Sequence, residues 1–133
     1  MREFPVKKLK PLPASLIARG SGCAIKIPLE PFNLDGKTIE TSIQLEDVSI
    51  SAANLRDLAG HTFEFPRNPE PGYIDGSIYI VHAHHPVDVT SIRFCDMRGD
   101  YIEAEFEMTF VFEFEGLDDY RDAVTTLLVR FAL

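Results

Sequence analysis

Tryptophan is absent, cysteine occurs twice and histidine four times, and no segment is apolar throughout. An export signal needs an apolar stretch of about 7–15 residues and a membrane-spanning helix about 20. Lacking both, the chain reads as a soluble, cytoplasmic protein without membrane contact. Cys23 and Cys95 have no Cys-x-x-Cys partner. That removes a thiolate metal knuckle and a dithiol redox motif, leaving two small, partly buried apolar side chains. Basic residues are also in the minority, 13 against 21 acids, for a net charge of −8. A balance of this sign excludes a protein built to grip nucleic acid. Gly-rich phosphate loops and a Gly-x-Ser-x-Gly nucleophile elbow are missing too.

What remains is an ordinary globular composition, 45% hydrophobic and 26% charged over 133 residues, the size of one domain. The charge is uneven. Residues 1–13 carry Arg2, Lys7, Lys8 and Lys10 against Glu3, a net of +3, so residues 14–133 carry −11. Pro5, Pro11 and Pro13 keep this basic arm extended. It either lies along the acidic body, reaches a partner, or frays.

The body is patterned with period 2. Between Asp100 and Glu115, Ile102, Ala104, Phe106, Met108, Phe110, Phe112 and Phe114 share one parity, and Glu103, Glu105, Glu107, Glu113 and Glu115 share the other. Only a strand places these sets on opposite faces. Weaker alternation predicts strands over 23–29, 39–50, 61–65, 73–84, 87–94 and 125–133. Phase changes at Glu46–Asp47 and Thr90–Ser91 mark bulges. Asn33 to Gly36 reads as a turn, Met97 to Asp100 as a tight hairpin, and Pro66 to Gly72 as a loop. Ser51 is expected to cap a short helix over 52–59, ended by Gly60, and a second turn of helix is expected over 118–123. Together these predict an all-β domain over 14–133, an antiparallel β-sandwich of about 7–8 strands or a closed barrel, with one or two short helices.

Two constellations carry chemistry. In the first, a strand through residues 73–84 places Ile74, Gly76, Ile78, Ile80, His82 and His84 on one face. Two imidazoles at i, i+2 can converge on a divalent transition metal. The run Gly76-x5-His82-x-His84 resembles the opening of the first cupin motif, which implies a small metal-dependent β-barrel enzyme with His82 and His84 as ligands. The family next has a Glu, where this chain has Asp88, and no His follows Gly99 to supply its second motif. The third ligand would then be Asp88, Asp75 or His61.

The second constellation is acidic. Nine of the 21 acids fall between Asp100 and Asp122, among them Glu103, Glu105, Glu107, Glu113, Glu115, Asp118 and Asp119. Carboxylates on one strand face recur about every 7 Å, a strip that steers a basic protein toward it. The same acids also keep a Phe-rich sheet soluble. The Pro-rich loop is either a binding loop or a stiff connection, and the Arg98-Gly99-Asp100 tripeptide is explained by the hairpin turn itself. The sequence reading is therefore a binding protein, an adaptor or inhibitor without cofactor, that docks a basic partner through the acidic sheet face. The alternatives are the metal enzyme and a homodimer joined by a strand edge.

Overall fold

The computed structural model describes residues 2–51, 54–112 and 120–133. Its strands in chain order are β1 (Ser15–Arg19), β2 (Gly22–Pro28), β3 (Phe32–Leu34), β4 (Lys37–Ile39), β5 (Ser42–Val48), β6 (Thr62–Glu64), β7 (Asp75–Ile80), β8 (Ala83–Arg98), β9 (Tyr101–Phe110) and β10 (Ala123–Ala132). One antiparallel sheet runs β1-β2-β5-β7-β8-β9-β10, with β6 beside the second half of β8, and it curls into a half-barrel. The separate β3–β4 ribbon contributes Phe32, Leu34 and Ile39 to the same core. The expected all-β antiparallel architecture is present. Among the described residues no helix is long and apolar enough to cross a membrane.

The bulges sit where the alternation changes phase. On β5, Asp47 adopts φ +55° and the register against β2 slips between Cys23↔Val48 and Ile25↔Leu45. On β8, the register against β9 slips between Val89 and Ser91, and again between Phe94 and Met97. Each extra residue increases local twist and lets a long strand turn a corner. β8 uses this to pair with β7 through Ala83–Val87 and with β6 through Ser91–Arg93.

Turn chemistry also holds. Gly99, at φ +60°, closes a two-residue turn between Arg98 and its partner Tyr101. Asp35 and Gly36 are both left-handed in the β3–β4 turn. The helix expected over 52–59 is, among the described residues, a single 3-10 turn, Leu55–Leu58. Its cap is Asn54, whose side chain accepts the Arg56 amide at 3.0 Å, and Leu58 is buried. In the stretch 118–123, residues 118–119 lie outside the described residues and Ala123 already opens β10.

The basic arm lies along its own body. Arg2 bridges to Tyr120, Pro11 to Leu29, and Ala14 to Phe131 at the seam between β1 and β10. Phe4 is buried, its ring 4.7 Å from Phe112 and 5.8 Å from both Phe110 and Tyr120. Leu9 joins the core as well. Lys8 donates to the Asn33 carbonyl at 2.9 Å, and Arg121 pairs with Glu3 at 3.2 Å. The Asp35 carboxylate accepts from Arg2 at 2.6 Å and from Tyr120 Oη at 2.8 Å.

Those two bonds hold the Asp35 carboxyl below its usual range, chiefly through Arg2 and then Tyr120. A carboxyl depressed by folding stabilises the folded form above the unfolded pKa and ceases to do so as pH falls through the folded value. The arm should stay docked at neutral pH and loosen only below about pH 4. An amide resonance for Arg121, which donates to the Arg2 carbonyl, that shifts in this range and stops shifting in Asp35→Asn checks it. A second prediction concerns Gly76, where β5, β7 and β8 meet. A Cβ there would run into the Val87 carbonyl oxygen and press on Leu45 at 3.0 Å. Gly76→Ala should cost about 1–3 kcal/mol in a urea titration.

Candidate functional site

The acidic face is built by β9 between β8 and β10. Ile102, Ala104, Phe106, Met108 and Phe110 are fully buried, which turns Glu103, Glu105 and Glu107 outward. Register then decides their neighbours. Glu103 lies opposite Arg130, Glu105 between Leu128 and Arg93, and Glu107 between Thr126 and Ser91.

Two of the three carboxylates are engaged within the chain. Glu103, its side chain 17% exposed, faces Arg130 at 3.4 Å and Arg98 at 3.9 Å. Glu105 pairs with Arg93, and that carboxylate holds the guanidinium above its usual pKa. Arg130 also lies over the Tyr101 ring, 4.3 Å from its centroid. Glu107 is exposed and has no ion pair among the described residues. Beside these charges β10 presents Val124 and Leu128, 70% and 52% exposed. Glu113, Glu115, Asp118 and Asp119 lie outside the described residues.

Residue-type patterning along β9 did not reveal the three arginines that answer its acids. The signal was present once the Gly99 hairpin was placed. Folding the chain back at that turn brings Arg98 and Arg93 onto the strand beside the glutamates.

The histidine face requires a correction. Residues 73–84 are not one strand: β7 ends at Ile80, and Val81 and His82 form a two-residue turn with φ +50° and +67°. Ile80 and Ala83 pair across it, so they share a face and the parity inverts. His82 is therefore exposed on the turn. His84 points outward, its ring 4.9 Å from Tyr79. His85, not His84, enters the core, with Nε2 3.3 Å from the Ile80 carbonyl and its ring 5.3 Å from Phe112.

Asp88, the expected third ligand, is turned to another task. Its carboxylate accepts from Arg67 Nη2 at 3.3 Å and from the Asn68 amide at 3.4 Å. These bonds fasten the Pro-rich loop to β8. Among the described residues no group of three His, Cys, Asp or Glu is placed to hold a metal ion. Cys23 is buried and its thiol is pushed up to about 11 by that burial. Both cysteines are free thiols.

Comparison with known proteins finds no matching family model, curated protein or solved structure.

The inverted parity has a direct consequence for stability. His82→Ala and His84→Ala should each change it by no more than about 0.5 kcal/mol, as exposed substitutions do. His85→Ala empties a core site and should cost about 2–4 kcal/mol. Denaturant midpoints of the three variants check the assignment, and equal effects at His84 and His85 would contradict it.

Proposed function

We propose that the protein acts by binding rather than by catalysis, docking a basic protein partner on the outer face of β8, β9 and β10. The observation that carries this reading is the make-up of that face. A column of three outward glutamates stands beside two exposed aliphatic side chains, Val124 and Leu128, on a chain of net charge −8. Protein interfaces combine an apolar centre with charged groups around it. Here Val124 and Leu128 supply the apolar part.

The charged part works in two ways. Glu107 meets an incoming cation without giving anything up, and the long-range negative field raises the encounter rate. Glu103 and Glu105 are already neutralised by Arg98, Arg130 and Arg93. An exposed pair is worth only about 0–1 kcal/mol, so a partner's basic side chain can exchange with Arg93 on Glu105 at little cost, whereas Glu103, largely shielded, keeps its two arginines in place. The same arginines repel a partner in the wrong register, which gives the face an orientation as well as a sign.

The test is affinity capture on the immobilised protein at about 0.05 M and about 0.5 M salt, followed by identification of what is retained. A basic protein is expected at low salt and lost at high salt. Glu107→Lys, which breaks no internal pair, should weaken its binding about tenfold. Reversal of Glu103, Glu105 and Glu107 together should abolish it while the circular dichroism spectrum is unchanged. Capture unaffected by the triple reversal overturns the proposal.

A further inference from the structure

The other half of the sheet's outer surface has a different character. On β2, β5, β7 and the start of β8, the outward side chains enclose a shallow groove of about 300 Å³. Register lays them out in two rows. Lys26, Gln44 and Ser77 are paired across three adjacent strands, and in the next row Ser42 precedes the Tyr79–His84 pair. Side chains within a row stand about 5 Å apart and the rows about 7 Å apart. Those are the dimensions of a single pyranose ring.

Each lining group has a chemical meaning. Tyr79 is 45% exposed, which is unusual for a large ring with a sheet to pack against, and its ring meets His84 at 4.9 Å and 57°. It offers an aromatic face at the groove's edge. Gln44, Ser42 and Ser77 supply donors and acceptors together, the mixed set that a polyol needs and a purely anionic ligand does not.

Lys26 adds one positive charge. It has no ion pair among the described residues, because the carboxylate two residues along β5 from Gln44, Glu46, is held by Arg19 at 3.3 Å. One isolated cation on a body of strongly negative charge suits one carboxylate and disfavours a polyanion, whose other charges the body repels.

We propose that this groove binds an acidic saccharide, one uronic acid residue seated with its apolar ring face on Tyr79, its hydroxyls on Gln44, Ser42 and Ser77, and its carboxylate on Lys26. The site is separate from the β8–β10 face and does not depend on the function proposed for it. All the residues named lie on strands, so the groove is held rigid by the ladder beneath it. Binding requires no rearrangement of the core.

The experiment is a titration of the full chain, labelled with nitrogen-15, against methyl galacturonoside, a single uronic acid residue with one carboxylate. Its neutral counterpart, methyl galactoside, and adenosine monophosphate are run in parallel. Shifts should be confined to the amides of β2, β5 and β7 around Lys26, Gln44 and Ser77. The acidic saccharide should bind about tenfold more tightly than the neutral one. Tyr79→Ala should weaken both at least tenfold, whereas Lys26→Gln should bring the two affinities together. Both positions are exposed, so neither variant endangers the fold. Three results would each overturn the proposal. They are no shifts at millimolar saccharide, binding indifferent to Tyr79→Ala, and a nucleotide that occupies the groove while saccharides do not.

Discussion

Five consecutive inward positions of β9, Ile102, Ala104, Phe106, Met108 and Phe110, are completely shielded from water. Each large side chain contributes about 1.5–3 kcal/mol only if something covers it. A flat sheet of this width could not cover itself, and the chain has no α-helix among its described residues to lay across it. Curling is the available solution, and the bulges at Asp47 and around Val89–Ser91 provide it. The β3–β4 ribbon closes over Phe32, Leu34 and Ile39, and the N-terminal arm inserts Phe4 against Phe110, Phe112 and Tyr120. The arm is thus part of the core rather than an appendage to it.

This changes the meaning of the charge asymmetry. A +3 arm on a −11 body resembles a tail awaiting a partner, but Arg2 is on Asp35, Lys8 is on the Asn33 carbonyl, and Arg121 of the body reaches Glu3 in return. Pro5, Pro11 and Pro13 explain why the arm seals without becoming an eleventh strand. Each lacks the N–H that a continuous ladder needs, and the arm makes only isolated bridges to the body. The arm therefore meets the body at Tyr120, Leu29 and Phe131 and buries Phe4 and Leu9 in the core.

The strand read over 100–115 was legible because its alternation is long and strict, although β9 ends at Phe110 and residues 113–119 lie outside the described residues. The bulges at Asp47 and Val89–Ser91 were legible because an inserted residue leaves a phase change, whereas the slip between Phe94 and Met97 left none that was read. The turn at Val81–His82 was not legible either, for a physical reason. Left-handed two-residue turns normally announce themselves with Gly, Asn or Asp, and a β-branched Val at φ +50° is a rare conformation. The alternation was read straight through it, which carried His82 and His84 to the wrong face. The odd parity of His85, Val87 and Val89 was the remaining clue. β1, β3 and β4 are too short, or in the case of β1 too exposed, to alternate visibly.

The strand that corrected the histidines also divides the surface. β8 is 16 residues long and changes neighbours at its bulge, from β7 before it to β6 after it. Its first half carries His84 toward the polar groove of β2, β5 and β7; its second half carries Arg93 toward the glutamates of β9. A straight strand of that length would join the two regions into one plane, with Lys26 and Glu107 contributing to a single field. The bulge turns them apart instead. One face can then be tuned for charge and the other for hydrogen bonding over the same uninterrupted core, because alternation lets outward residues vary while the inward set stays fixed. The two proposed sites are separable by mutation for this reason: no outward residue of either belongs to the side of the sheet that holds the fold together.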